Sequence, residues 1–393
     1  MKLKEINKKE FFDFCNTHQT NNFHQSRQWA EYKRLDGWHT YFVGLDQNGK
    51  IKAAAMLLSK EIPVIKRRVF YAPYGFIINY KDLELVRSFT KHITEFINNK
   101  KAIFVKIKPY LSLKELDNNG NYIQGGYDNS KCIDVLKSLN YIQMDTYLEA
   151  NTFYKLNIKD KTCEDILNNM DETLKNTIIS NEVKAIYSRD IESNEFDKII
   201  NIISNSSNKI NHIGNNIKEF LQIFSDDKNV NVKVLEMNID KYIENAKTDT
   251  EVKEAKEFEY NYGHKVIVGC VISVCFGNEV TTVCYAVQDK FKDMLIECSI
   301  NYEVIKWAIE NNYEIYNFGA IDDNLENNKL YQRYKGFNGN VVKLLGEFDL
   351  ILNTFIYKQY YKYCKKKNIT MNDLKWKIKL IFRYYNLFIS FYL

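Results

Sequence analysis

Hydrophobic and polar positions alternate along "WHTYFVGLDQNGKIKAAAMLLSKEI" (38–62), with a break at Asn48-Gly49. That pattern predicts two strands joined by a tight hairpin. A second apolar run, "VFYAPYGFII", follows from residue 69. The period then changes. In "DLELVRSFTKHITEFINNK" the apolar residues fall at 83, 85, 86, 89, 93, 96 and 97, the stripe of an amphipathic helix. The largely apolar "AIFVKIKPY" (102–110) closes the stretch as a buried strand.

The same plan recurs later. "KVIVGCVISVCFGNEVTTVCYAV" (265–287) reads as a hairpin turning at Gly277-Asn278. A helical pattern, "INYEVIKWAIENN", and a strand, "YEIYNFGA", complete it. A hairpin, a helix and a returning strand in each half predict an α/β chain with two mixed sheets covered by helices. The return through a helix predicts a closing strand parallel to an earlier one. Residues 160–186 read as helical, and the polar 244–265 stretch as a loop or short helix, too short for an extended coiled coil. The boundaries expected are 1–150, 151–346 and a C-terminal segment, 347–393, returning to the first domain.

Composition narrows the class. Hydrophobic residues at 45% and charged residues at 27% suit a globular chain with a sizeable core. A net charge of +5 is too weak to define a nucleic-acid binder, but it suits a partner carrying phosphates. The eight cysteines include no CxxC pair, and several lie in apolar runs, so they read as small buried hydrophobes in a reducing compartment. No His/Cys group has zinc spacing, and no metal is expected. The N-terminus lacks the apolar core of a signal peptide, so a cytoplasmic location is expected. The basic, aromatic tail 374–393 fits either a headgroup-layer segment at the inner membrane face or a terminal helix docked on the protein.

Candidate chemistry concentrates in two places. "LYQRYKGFNGNVV" (330–342) sets Lys335 among Tyr331, Tyr334 and Phe337. Either the rings wall in a functional cation, or they serve the core while the lysine reaches outward. In "QWAEYK", Trp29 and Lys33 are four residues apart and share one helix face. The run Lys66, Arg67, Arg68 suits either RNA or lipid phosphates, or a solvated hairpin tip. Walker, GxGxxG, HExxH and GxSxG patterns are absent. So is the glycine loop with which acetyltransferases hold the pyrophosphate of coenzyme A.

Four stretches in this order resemble the Fem-type (FemABX) aminoacyltransferases, which build interpeptide bridges of bacterial peptidoglycan. They are "NFHQSRQWAEYKRLDGW", "YAPYGFII" with "AIFVKIKPY", "YNFGAIDD", and "LYQRYKGFNGNVVKLLGEFDLILN". The resemblance covers roughly residues 20–360, and its most specific part is aromatic-Lys-Gly-Phe followed by Gly-Glu-Phe-Asp. It implies two tandem acetyltransferase-like (GNAT-related) domains, here without the long helical arm of some members. It also implies transfer of an amino acid from aminoacyl-tRNA, as co-substrate and without a bound cofactor, to a lipid-linked or UDP-linked muropeptide. A paralogous aminoacyltransferase is a further partner in this picture.

By that resemblance Lys335 is the catalytic cation, near the reacting ester or the tRNA acceptor end, with Tyr334 and Phe337 beside it. Lys33 meets substrate phosphates, with Trp29 lining the site, and Tyr285 matches a substrate-site tyrosine. Departures touch the acceptor side. Lys108 of "IKPY" stands where members commonly have an acidic residue. Asn216 and Phe220 stand where an arginine and a tyrosine are usual. Losing an arginine removes a bidentate contact to phosphate. Two alternatives therefore stay open: the same transfer onto a non-wall peptide or metabolite, or an inactive relative acting as a binding partner.

Overall fold

The computed structural model describes residues 1–367 apart from 19, 63, 64, 192, 215 and 226–229. The tail 374–393 lies outside the described residues. The chain forms two units. The first comprises 1–115, 125–151 and the residues from 343 onward, and the second comprises 116–124 and 152–342. The second unit therefore begins one residue later than expected and ends four residues earlier. The short segment 116–124, expected in the first domain, belongs to the second because Leu116 is buried in that unit's core.

In the first unit the strands are β1 (Lys2–Glu5), β2 (His39–Gln47), β3 (Lys50–Ile62), β4 (Arg67–Ala72), β5 (Ala102–Ile107) and β6 (Tyr141–Gln143). The chain's last strand, Phe348–Ile351, enters between β5 and β6 to complete a seven-stranded sheet. The β2–β3 hairpin turns at Asn48 and Gly49, both with positive φ (54° and 80°), the geometry a two-residue hairpin requires. β5 runs parallel to β4 after the helix Leu83–Asn99, as the periodicity predicts. Asp82 caps that helix by accepting the Leu85 N–H at 3.0 Å. Its Leu85, Val86, Phe89, Ile93 and Ile97 are buried, while Leu83 is 40% exposed.

The second unit carries β7 (Thr152–Asn157), β8 (Ile186–Asp190), β9 (Asn208–Asn211), β10 (Val230–Asn238), β11 (Lys265–Phe276), β12 (Glu279–Val287), β13 (Ile315–Ile321) and β14 (Asn340–Lys343). The path runs β14-β7-β13-β12-β11-β10-β8. β12 and β13 are parallel but pair only over Glu279–Thr281 and Ile315–Asn317. Beyond that they part, and β9 bonds to the remainder of β12, from Cys284 to Val287. The 160–186 region is helical in two pieces, Cys163–Asn169 and Glu172–Val183. The polar stretch holds one 14-residue helix, Asp249–Tyr262, opened by a Thr248/Glu251 capping box. Among the described residues no helix is long and apolar enough to cross a membrane.

Burial separates two leucine-spaced positions that the sequence pattern treats alike. Phe89→Ala should lower unfolding free energy by about 3–5 kcal/mol, whereas Leu83→Ala should stay within about 0.5 kcal/mol. Urea denaturation of both variants tests this, and equal losses would contradict the placement of the helix face.

Candidate functional site

Two clusters, one in each unit, hold several of the residues singled out by sequence. In the first unit, the helix Arg27–Leu35 begins at Ser26, whose hydroxyl accepts the Trp29 N–H at 3.1 Å. Just before it, fully buried Gln25 donates to the carbonyls of Pro73 (2.7 Å) and Met56 (3.3 Å) and accepts the Met56 N–H (2.8 Å). One amide thus ties the helix start to β3 and to the turn carrying Tyr74. Sequence reasoning passed over Gln25 because a glutamine before a helix carries no motif.

Gln25 brings aromatic rings into contact. His24 lies 4.2 Å from Trp29 and 4.6 Å from Tyr74, and Tyr74 meets Tyr110 edge-on at 5.6 Å. The Lys33 ammonium sits 4.8 Å from the Trp29 ring centroid, so the shared helix face is real. Trp29 Nε1 is buried without a hydrogen-bond partner among the described residues. A buried indole donor left unmatched is costly, and a ligand acceptor would satisfy it.

Lys108 belongs to the same cluster but not as an exposed cation. It is fully buried, with Nζ 2.9 Å from the Glu149 carbonyl and 3.7 Å from Glu347 Oε1. The ring of Tyr147 lies 4.8 Å away. Lys106, two residues earlier, meets Asp349 at 2.7 Å and Glu347 at 3.6 Å. Glu347 also accepts the N–H groups of Leu148 (2.8 Å) and Glu149 (3.1 Å). The Gly-Glu-Phe-Asp block therefore supplies two acids to two buried lysines. Burial and the Glu347 charge raise the Glu149 pKa, against the opposing pull of Lys33 and Lys108. Arg68 of the basic run pairs with Glu61 at 3.0 Å.

The second cluster is the turn at Lys335. The helix Lys329–Tyr334 runs into a 3-10 turn, Lys335–Phe337. Tyr331, Tyr334 and Phe337 are buried, and the rings of Tyr334 and Phe337 stand 4.8 and 4.9 Å from Phe318. The rings serve the core, and no ring stacks on the Lys335 ammonium among the described residues. Lys335 itself is half-buried. Its backbone is held firmly: the Asn118 amide donates to its carbonyl at 3.2 Å, and Asp171 N–H donates to Gly336 O at 2.9 Å. A Cβ on Gly336 would lie 2.1 Å from Asp171 Oδ2, and one on Gly339 would lie 2.4 Å from the Lys155 carbonyl. At Gly339 the obstacle is backbone, whereas at Gly336 it is the tip of the Asp171 side chain.

Arg333, which the motif reading ignored, joins this turn to the helix Ile296–Glu310 through Glu297 at 2.5 Å. Tyr285 on β12 is buried, and burial and then the Glu297 charge push its phenol pKa up. Phe220 is fully buried and stacks on Phe224 at 4.2 Å, which makes it a core ring. Asn216 is half-buried and receives the Phe220 N–H on its carbonyl at the start of a helix. Among the described residues Asp240, Glu259 and His264 bring three potential metal-ligand atoms within 4.8 Å, all exposed, with His264 already bonded to Asp240 at 2.8 Å.

The comparisons with known proteins agree with this architecture. The FemAB family profile matches residues 6–251 and 244–366. The aminoacyltransferase FemA of Staphylococcus aureus (strain bovine RF122 / ET3-1) is 24% identical, over 92% of this chain and 97% of FemA. The crystal structure of FemX superposes with a TM-score of 0.74 at 16% identity, covering 91% of this chain and 99% of FemX. A conserved protein of unknown function from Bacteroides thetaiotaomicron VPI-5482 gives a TM-score of 0.52 at 11% identity, covering 88% and 98%. The class is that of aminoacyltransferases, with the fold of FemX. This chain belongs to the FemAB family.

Two consequences can be measured. Removing one member of the buried charge group, as in Glu347→Ala, should cost about 3–5 kcal/mol, because a lysine is left uncompensated. Chemical denaturation reads this, and a loss below 1 kcal/mol would mean the charges are solvated. Gly339→Ala should lower the melting temperature more than Gly336→Ala. The first collides with backbone and the second with a carboxylate tip, although that tip also caps a helix through the Leu174 N–H at 2.8 Å.

Proposed function

We propose that this protein transfers an amino acid from aminoacyl-tRNA to the amine of a peptidoglycan-precursor peptide. The reading is supported chiefly by the family match along nearly the whole chain, together with a rigid lysine turn at the family's most specific block. An aminoacyl ester is already activated, so positioning and charge suffice without a nucleophilic side chain. The acceptor nitrogen attacks the ester carbonyl carbon, giving a tetrahedral oxyanion. Its collapse forms the amide and breaks the carbon–oxygen bond, and the proton lost by nitrogen passes to the departing tRNA oxygen, which leaves as a hydroxyl.

Lys335 stabilises the oxyanion in this scheme. Its backbone is held by Asn118 and Asp171, with close-packed glycines at 336 and 339, so the stem carrying the ammonium springs from a fixed point. Lys33, braced on Trp29, meets the phosphates of the precursor as a point charge. Lys108 takes no part in substrate contact because Glu347 and the Glu149 carbonyl occupy it. Neither metal nor bound organic cofactor is required. A second reading, the same transfer onto an acceptor outside the cell wall, is favoured by uncharged Asn216 at the position where the resemblance expects arginine.

Purified protein supplied with charged tRNAs and either a lipid-linked or a UDP-linked muropeptide should form a new amide, read by mass spectrometry. Product on a non-wall peptide alone would select the second reading, and no product on any acceptor would refute both. Lys335→Met should lower kcat about 10²–10³-fold with little change in melting temperature. Lys33→Met should act mainly by raising KM for the precursor. An unchanged rate in the Lys335 variant would remove it from the chemistry.

A further inference from the structure

The second unit contains a cavity that the transfer reading leaves unused. Its volume is about 510 Å³, within the range of sites that enclose small organic ligands. One wall is the helix Phe196–Asn205, which offers Lys198, Ile202 and Asn205 on one stripe. The opposite wall is the turn leaving β12, with Gln288, Asp289 and Lys290, next to Ile267 of β11.

The turn is held in place. The Gln288 side-chain amide donates to the Ile267 carbonyl at 2.5 Å, and its backbone N–H donates to Val268 O at 2.9 Å. Ser206 donates to Val287 O at 2.5 Å and receives the Asn208 N–H at 3.0 Å. Only the lysine heads remain adjustable.

The two acids nearest the lysines are both engaged elsewhere. The Asp289 carboxylate faces Ser207, taking its N–H and its hydroxyl at 2.8 Å each. Glu195 stands 3.7 Å from Lys198, but Arg189 already grips it through two nitrogens at 2.7 and 3.0 Å. Lys290 has no carboxylate within ion-pair distance among the described residues, and its ammonium lies 3.8 Å from the Tyr262 ring centroid. Desolvation lowers its pKa, as expected of an ammonium lacking an anion.

We propose that this cavity binds a phosphorylated small organic molecule, with its phosphate between Lys198 and Lys290 and its carbon body against Ile202 and Ile267. Lysine heads on flexible stems suit phosphate as point charges, and the nearby arginine, Arg189, is already committed to Glu195 and Glu236. The two isoleucines give an organic body apolar surface that inorganic phosphate cannot use. The site goes beyond aminoacyl transfer and requires no covalent step.

Titration calorimetry on the full chain tests it, with uridine monophosphate, ribose 5-phosphate, inorganic phosphate and uridine as probes. At least one phosphate ester should bind with 1:1 stoichiometry, more tightly than inorganic phosphate, while uridine should not bind. The double variant Lys198→Met/Lys290→Met removes two ammonium groups, one of them lying against the Tyr262 ring, and retention of the parent's melting temperature confirms an intact fold. It should weaken ester binding at least about tenfold, the effect of losing roughly 1.4 kcal/mol of contact. No heat from either ester at millimolar concentration overturns the proposal. So does binding unaltered in the double variant, or inorganic phosphate binding as tightly as the esters. Because binding is read without any transfer assay, failure of the transferase reading leaves this result intact, and the converse also holds.

Discussion

The cross-strand meeting of Lys106 and Lys108 with Glu347 and Asp349 is the constraint on which the first unit depends. The last strand pairs with β5 so that Phe348 faces Ile107 and Asp349 faces Lys106. The pleat sends Ile107 and Phe348 into the apolar core and turns the four charges to the other face. There Tyr357 donates to Asp349 at 2.8 Å, and Phe104 meets Tyr357 edge-on at 5.1 Å. A buried charge group seldom adds net stability over apolar packing of equal volume. Its value here is register. A slip by one residue would drive two carboxylates into the core and leave two ammonium groups unpaired.

That arrangement decides which cations remain available to a ligand. With Lys106 and Lys108 neutralised locally, Lys33 is the cation set against the Trp29 ring, beside His24 and Tyr74. Glu149 is held through its backbone at both ends, its N–H by Glu347 and its carbonyl by Lys108. The segment around it has no regular secondary structure, yet it is fixed as firmly as a strand. The Lys108 ammonium is thus matched by the Glu347 carboxylate and the Glu149 carbonyl.

Much of the fold was legible because burial there obeys a single period. The hairpins, the helix Leu83–Asn99 and the parallel returns of β5 and β13 each follow from alternation or from a 3.6-residue stripe. β9 was not legible. "NKIN" carries no strand signature, and it pairs only because β12 and β13 separate and leave an edge to be covered. Periodicity also cannot tell whether rings flanking a lysine face its ammonium or the core. Around Lys335 the spacing of Tyr331, Tyr334 and Phe337 fits either case, and Phe318, from a strand residues earlier in the chain, decides for the core. Lys108 shows the same limit in reverse. A lysine in an apolar strand looks functional until the acids that neutralise it, some 240 residues later, are placed beside it.

The distribution of thiols and charges also bears on the kind of chemistry this scaffold can support. Burial pushes the Cys275 thiol up to about 11 and those of Cys284 and Cys298 to about 12. A thiol held protonated at neutral pH is a poor nucleophile, so acyl-enzyme formation on these residues is disfavoured. A rigid turn presenting one half-buried ammonium suits a different strategy, in which the substrate arrives already activated. The protein then has only to orient it and stabilise one negative charge. Rigidity matters more than reactivity in that case, and the residues that enforce it are the ones least visible as chemistry: Gln25, Asn118, Asp171, Gly336 and Gly339.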